Sequence, residues 1–132
     1  MSAITGIYHL NGEPIHVQYG RHLMKALQKY PADRIQTWHS DSIFLGCYAQ
    51  WITPESVGEQ LPFFDDERQC AITSDAIIDN REELFERLQI ERSHQKHITD
   101  SELILRAYYK WGEGAPKFLV GDFAFMIWDQ KQ

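Results

Sequence analysis

The last third of the chain, residues 98–129, carries a helix pattern and then an apolar segment. Thr99 and Glu102 stand three residues apart at the start of an apolar run with helical spacing, which is the pattern of a capping box. Gly112 and Gly114 follow that run, and glycine is the residue that most often ends a helix. The sequence therefore predicts an amphipathic helix that begins near Thr99 and ends at Gly112.

A second, shorter helix and a strand are predicted after it. Pro116 suits the first turn of a short helix that ends at Leu119. Five of the six residues between Asp122 and Asp129 are large and apolar, which predicts a strand that is buried on both faces. A helix, a tight connection and a strand covered on both sides together indicate a layered body of helices and sheets.

The first two thirds of the chain favour strands, with a helix at 18–30 between them. Asn11-Gly12 is a strong hairpin signal, so residues 14–17 are expected to return as a strand beside the one at 2–10. Further strands are predicted at 35–38, 42–51 and 70–78. The strand at 70–78 runs into a second predicted capping box, 79–82, which opens a helix through Leu88 and is followed by a polar link at 91–97. Strands and helices in this order fit stacked sheets flanked by helices better than an alternating parallel fold.

Composition limits the class of protein and its partners. The 132 residues are 43% hydrophobic and 24% charged, as expected of one soluble globular domain. No apolar run has the length of a membrane span and no signal peptide precedes the first strand, so we expect no membrane partner and a cytoplasmic location. A net charge of −6 argues against a nucleic-acid partner. Cys47 and Cys70 lie in apolar segments and are expected to be reduced core residues.

Taken one by one, the polar residues do not define an active site. His94 and His97 lie in a polar link without a third ligand nearby in sequence, so we expect a solvated loop and no metal site. The acidic run 65–67 is better explained as a turn. The sequence contains neither a glycine-rich phosphate loop nor a nucleophile elbow, and no cofactor is expected in this chain.

The order of four motif blocks, however, resembles a known family through essentially the whole chain. A strand begins at Ser2 and is followed by the blocks Asp79–Leu84, Thr99–Leu105 and Phe118–Phe125. This series resembles the N-terminal glutaminase domain of asparagine-synthetase-type enzymes, a class II glutamine amidotransferase, and the last two blocks are the most specific. With Thr53-Pro54-Glu55-Ser56, the pattern is closest to that of the lasso-peptide cyclases, which close a macrolactam ring.

The resemblance implies an α+β fold of the Ntn-hydrolase type. That fold is an αββα sandwich in which two antiparallel sheets pack face to face between outer helices. The family continues with further strands, so residues 1–132 are expected to be a C-terminally truncated, incomplete glutaminase-like domain without the synthetase domain. An incomplete sheet would leave the edge of 123–128 unpaired, which predicts a homodimer or a strand swap.

The resemblance also assigns the site positions. In the family, an N-terminal cysteine freed by removal of Met attacks glutamine, and an Asn-Gly pair stabilises the oxyanion. Here Ser2 takes the nucleophile position and Asp75-Ala76 the oxyanion position. The arginine that holds the substrate carboxylate is missing from 47–51, whereas the residue that holds the amino group is retained as Asp100. These changes predict that the glutaminase is inactive, and capping of a helix would explain Asp100 without a ligand.

An inactive glutaminase suits a ligase whose substrate supplies its own amine. We therefore expect the N-terminal domain of an asparagine-synthetase-like ATP-dependent amide-forming ligase, a lasso-peptide macrolactam cyclase. The expected partners are the C-terminal synthetase domain, which would bind ATP and Mg²⁺, and the precursor peptide. Two alternatives stay open: an active glutaminase that uses Ser2 as its nucleophile, and a non-catalytic peptide-binding or oligomerisation module. Release of glutamate from glutamine separates the enzyme from the other two.

Overall fold

A computed structural model describes residues 1–131, which form two compact units. The first unit comprises 1–50, 60–75 and the residues from 124 onward, and the second comprises 51–59 and 76–123. The boundary falls within two strands, β5 (Cys70–Ile78) and β6 (Gly121–Asp129), so each of these strands has residues in both units.

The first unit contains a three-stranded antiparallel sheet. Its order is β1 (Ala3–Tyr8), β3 (Ile43–Ala49) and β2 (Arg34–Ser40), with Ala3 opposite Tyr48 and Arg34 opposite Ala49. Every residue of β3 is buried, because β3 is the central strand and both faces of the sheet are covered there.

A second three-stranded sheet has the order β4 (Phe63–Asp65), β5, β6. Both sheets contribute to the core of the first unit: Ile43 and Leu45 of β3 pack with Ala71 of β5, against the half-buried rings Trp38, Phe64 and Trp128. The hydroxyl of Thr73 in β5 also donates a hydrogen bond to the carbonyl oxygen of Gly46, at 3.3 Å. The predicted fold class is confirmed: two antiparallel three-stranded sheets with helices form an α+β fold that is compatible with an Ntn-type sandwich.

Helix α1 (Val17–Ala26) also belongs to the first unit and lies close to β3. A Cβ added at Gly20 would come within 2.6 Å of the Phe44 ring, so the glycine permits the close approach of the helix to the sheet. The predicted helix at 18–30 is therefore confirmed in kind, but it ends at Ala26, with Leu27 as its C-cap.

The second unit is mainly helical. It contains α2 (Arg81–Arg87), the single-turn α3 (Arg92–Gln95) and α4 (Asp100–Trp111), with two 3₁₀ helices at Pro54–Ser56 and Gly112–Phe118. At the start of α4 the hydroxyl of Thr99 accepts the backbone N–H of Glu102 at 3.1 Å, as the capping pattern predicts. The short helix predicted from Pro116 is present as the longer 3₁₀ helix, with Trp111 stacked on Phe118 at 4.0 Å between ring centroids.

Four predictions of local structure were wrong. His94 does not lie in a loop, since Arg92–Gln95 form the single-turn helix α3. Residues 14–17 do not form a return strand, because the side chain of Asn11 accepts the N–H of Glu13 and closes a local turn instead of a hairpin. The block 79–82 does not form a capping box, since Asn80 is the N-cap and its side chain makes no capping bond. The strand β6 is not buried on both faces: Asp122, Ala124 and Met126 are exposed, as the outermost strand of a sheet allows.

Both cysteines are buried and neither is in a disulfide bond, as predicted. No helix within residues 1–131 combines the length and the apolar character that crossing a lipid bilayer would need. In the same residues, no three side chains of His, Cys, Asp or Glu gather as a metal-ion site would require.

Candidate functional site

Ser2 and Asp75, two of the four predicted site residues, lie together in the first unit. The backbone N–H of Ser2 donates a hydrogen bond to Oδ1 of Asp75, at 3.0 Å. The antiparallel register sets Ala3 opposite Tyr48, so Ser2 lies beside Gln50, the residue that follows β3. The backbone N–H of Gln50 donates a hydrogen bond to Oγ of Ser2 at 2.9 Å. The sequence separation is large, 73 residues between Ser2 and Asp75, so only the fold joins them.

The N-terminal group itself is held at the same place. The Met1 ammonium donates a hydrogen bond to the side-chain carbonyl of Gln50. Gln50 thus contacts the first two residues, through its amide N–H and its side-chain oxygen. The Ser2 hydroxyl therefore accepts a hydrogen bond from one backbone N–H, and the backbone N–H of Ser2 contacts one carboxylate.

Ala76 follows Asp75 in β5 and is half-buried. It has a methyl group at the position where the resemblance implies glycine. The segment 47–51, where the carboxylate-holding arginine was expected, has three buried residues and then Gln50 and Trp51. No cationic side chain comes from this segment.

Asp100, the fourth predicted residue, lies in the second unit at the first position of α4, and its side chain is 7% exposed. Its Oδ1 pairs with the Arg81 guanidinium, and its Oδ2 accepts the backbone N–H of Ile78 at 3.2 Å. Arg81 also donates to the carbonyl of Ile98 at 2.6 Å and lies 3.8 Å from Oε1 of Glu55. Both oxygens of Asp100 are thus engaged by the protein itself.

Burial raises the pKa of Asp100 above its ordinary value, even though the Ile78 N–H and Arg81 act in the opposite direction. Removing a carboxylate from water destabilises its charged form. Here that destabilisation exceeds the stabilisation of the charged form by the Arg81 guanidinium and the Ile78 amide. Asp100 is therefore an ion-paired carboxylate whose charge depends on Arg81. The sequence predicted its place at the helix start but gave no sign of this pairing.

Glu59 is a buried acid of the second unit that the sequence did not single out. Burial raises its pKa most strongly, hydrogen bonds to Ser101 and Thr99 lower it, and the nearby charge of Asp100 adds to the rise. Its Oε2 is buried without a hydrogen-bond partner among residues 1–131. The surrounding segment 53–62 is polar and rich in turn residues, so no periodic pattern could have indicated a buried carboxylate there.

We expect Glu59→Gln to stabilise the protein at pH 8 and to have a smaller effect at pH 4.5. A raised folded-state pKa means that folding disfavours the charged form. The resulting penalty is absent below the unfolded-state pKa and complete above the folded-state pKa. The melting temperature at pH 8 should therefore rise by a few degrees. Glu67→Gln is the control, because the Glu67 side chain is 90% exposed; an equal gain in both variants would show that burial is not the cause.

Asn80 explains why two motif blocks that are far apart in sequence occur together. Its side-chain Nδ2 donates to the carbonyl of Phe118, and its Oδ1 accepts the N–H of Val120, each at 2.9 Å. The carbonyl of Val120 in turn accepts the N–H of Asp79 at 2.7 Å. The blocks 79–84 and 118–125 are therefore joined by three hydrogen bonds, and Asn80 holds the chain in the position that leads into β6.

Comparison with known proteins identifies the family of the chain. No curated protein matches the chain. Residues 49–132 match the family model for the glutamine amidotransferase domain. The matched segment includes Asp75, Ala76 and Asp100, but it begins after Ser2. Since the match extends over more than half of its residues, the chain belongs to the glutamine amidotransferase domain family.

Proposed function

We propose that this chain is the glutaminase-inactive amidotransferase domain of an asparagine-synthetase-like, ATP-dependent amide-forming ligase of the macrolactam-cyclase type. The observation that carries the proposal is the position of the Asp75 carboxylate, 3.0 Å from the backbone nitrogen of Ser2. ATP and Mg²⁺ would bind to a separate synthetase domain. The amidotransferase domain of this chain would support the synthetase domain and help to bind the precursor peptide.

The charge of Asp75 opposes glutamine hydrolysis. Attack on the glutamine amide creates a negatively charged oxygen, which catalysis stabilises with hydrogen-bond donors placed beforehand. A carboxylate accepts hydrogen bonds and repels that charge. Loss of one oxyanion donor alone costs about 10²–10³ in rate, and replacing a donor by a negative charge is expected to cost more.

The same carboxylate weakens the base. After removal of Met1, the nitrogen of Ser2 becomes an α-ammonium group, which must lose its proton before it can activate the hydroxyl. An ammonium held against a carboxylate retains its proton more strongly, because the ion pair stabilises the charged form. A serine hydroxyl also ionises far less readily than a cysteine thiol. The Ser2 hydroxyl therefore needs a stronger base to remove its proton, whereas the base available to it is weakened.

The state of Asp100 gives separate support. To hold the ammonium group of glutamine, its carboxylate would have to exchange a guanidinium contact and a backbone hydrogen bond for the ligand. Arg81 would then lose its principal counter-charge in a setting where its own side chain is 17% exposed. Glutamine binding would therefore begin with the breaking of a buried ion pair, which is costly.

The test is glutamate release from glutamine by protein whose Met1 removal has been verified by mass spectrometry. We expect the rate to equal that of Ser2→Ala and of buffer alone. Turnover that Ser2→Ala abolishes would instead identify an active serine glutaminase. If there is no turnover, ATP-dependent amide formation by a synthetase-domain partner, assayed with and without this chain, separates the ligase proposal from a plain binding module.

We further propose that the isolated chain forms a homodimer or swaps a strand through β6. This strand has nine residues, lies outermost in its sheet and exposes Asp122, Ala124 and Met126. An outer strand offers backbone groups to a second chain, and lysine on such a strand discourages pairing. Multi-angle light scattering should show a dimer at tens of micromolar that Met126→Lys dissociates. A folded monomer at every concentration would contradict this proposal.

A further inference from the structure

We propose that the cavity beside α1 binds a small amphipathic carboxylate, a ligand with an apolar body and one anionic head. The cavity has a volume of about 310 Å³ and is lined by residues of the first unit alone. Its size is at the lower end of the range for small-molecule sites. It is separate from Ser2 and Asp75, which are not among its lining residues, and nothing in the glutaminase chemistry uses it.

The inner wall of the cavity is apolar. Phe44 is buried and forms this wall together with Gly20 and the half-buried Met24. A side chain at Gly20 would collide with the Phe44 ring, so the glycine leaves the aromatic face open to the cavity as well as allowing the helix to lie close. Ile15 and Val17 add further apolar surface. An aliphatic chain or an aromatic ring suits such a wall.

The outer rim is polar and carries positive charge. Arg21, His16, His39 and Thr37 line it, and all four are exposed. None of the residues that line the cavity, all within 1–131, is acidic, although the whole chain has 19 Asp and Glu residues and a net charge of −6. A basic rim on an acidic protein favours an anion over a cation.

The N-terminal end of α1 also favours an anion at the rim. His16 is the N-cap, its side chain makes no capping hydrogen bond, and the first turn of this ten-residue helix contains no acidic side chain. The positive, N-terminal end of α1 therefore lies at the rim of the cavity. Within residues 1–131, the side chain of the cap residue does not accept a hydrogen bond from the first backbone N–H groups of this helix. A ligand oxygen would supply the missing acceptor.

The number of permanent charges selects the head group. Arg21 is the one lining residue, within the described range, whose side chain is always cationic. A single guanidinium matches the planar, bidentate geometry of a carboxylate, whereas a phosphate dianion would call for more positive charge. Threonine and histidine at the rim can add hydrogen bonds. A monocarboxylate of roughly ten to fifteen heavy atoms, most of them in an apolar body, fits both parts of the cavity.

The test is a calorimetric titration of the full chain with two matched pairs of probes. Octanoate and 1-octanol represent a free aliphatic acid and its neutral counterpart. N-acetylphenylalanine and its amide represent the carboxyl-terminal residue of a peptide. We expect at least one carboxylate to bind about tenfold or more tightly than its neutral partner, since a charge-assisted contact is lost in the latter. The tighter of the two acids identifies the source of the ligand.

Two variants connect binding with this cavity. Arg21→Gln removes the cation. Val17→Glu places a negative charge at an exposed position in the first turn, where glutamate favours the helix and so should not impair folding. Both should weaken binding of the carboxylate about tenfold. Arg21→Gln should leave the affinity for the neutral counterpart unchanged, and Val17→Glu, which also removes apolar surface, should weaken the neutral counterpart less than the carboxylate. Arg92→Gln, at a position that does not line the cavity, is the control and should bind as the wild type does.

Methyl NMR of the methionines gives an independent readout. The carboxylate should shift the methyl resonance of Met24, which lines the cavity, and leave that of Met126 in place. Equal affinity for acid and neutral probe, an unchanged affinity for the acid in Val17→Glu, or no binding of either acid at 10 mM would each overturn the proposal.

Discussion

Gly121→Ala is expected to destabilise the protein by at least about 3 kcal/mol. Gly121 has a φ of 144°, which side-chain-bearing residues rarely adopt. A Cβ there would overlap the carbonyl oxygen of Ile77 and lie 3.1 Å from its carbonyl carbon and 3.2 Å from the nitrogen of Asp79. All three are backbone atoms, so no rotamer change can relieve the overlap.

Gly114→Ala is the matched control for this substitution. Gly114 has no atom within 4 Å of an added Cβ, and its φ is outside the left-handed region. Alanine there should change the free energy of unfolding by less than about 1 kcal/mol, with stabilisation the expected direction. Urea denaturation of both variants makes the comparison. Similar stabilities would contradict the close backbone approach at the start of β6.

Arg81→Met is expected to cost about 3–5 kcal/mol at pH 8, because it leaves a buried carboxylate without its counter-charge. Arg81 and Asp100 are 17% and 7% exposed, and the guanidinium also satisfies the carbonyl of Ile98 and stacks over the Phe85 ring at 5.4 Å. Methionine has a similar length but no donor. Chemical denaturation should show the loss directly.

The control for Arg81 is Arg106→Met. Arg106 pairs with Glu102 at 3.0 Å on the surface of α4, where its side chain is 42% exposed, and such pairs are worth about 0.3–0.5 kcal/mol. The pH dependence offers a second comparison. Because Asp100 already has a raised pKa, it can take up a proton as the pH falls, and this removes the unpaired charge. The cost of Arg81→Met should therefore shrink at pH 4.5. A cost that does not change with pH would show that packing, not charge, is responsible.

The parts of the fold that were predictable have a dense local signal. The strand β5 is predicted with its observed bounds, because seven of the nine residues in 70–78 are apolar or β-branched. The start of α4 follows from Thr99, whose hydroxyl has the predicted partner. At 14–17 the local signal was misleading, since the Asn11 side chain closes its own turn and no strand follows. For β6, composition indicated burial, but an outermost position in the sheet left one face exposed.

The candidate site was predictable only where the family pattern fixed positions along the chain. That pattern named Ser2 and Asp75, and the fold places them in hydrogen-bond contact. It did not indicate that Arg81 engages Asp100, because a contact over 19 residues depends on side-chain geometry rather than on spacing. The burial of Glu59 was missed for a similar reason: a polar segment gives no periodic signal when tertiary structure covers a single carboxylate.

The link between Asn80 and residues 118–120 shows what such motifs encode. A capping role is the ordinary interpretation of Asn before a helix, but its amide instead joins two segments that are about forty residues apart. The residue that precedes α2 is thus bonded to the segment that leads to Gly121. Sequence alone names both blocks, and the hydrogen bonds explain why they belong together.

The most direct measurement compares glutamine hydrolysis by Ser2→Cys with that by Ser2→Cys/Asp75→Asn, both with Met1 removed. The cysteine supplies a competent nucleophile in each protein, so the two differ only in the charge beside it. The account predicts that kcat/KM for glutamate release is at least about tenfold higher in the double variant, because an amide donor replaces a repelling carboxylate. Equal values in the two proteins, whether measurable or at background, would contradict the claim that the Asp75 charge disables the site.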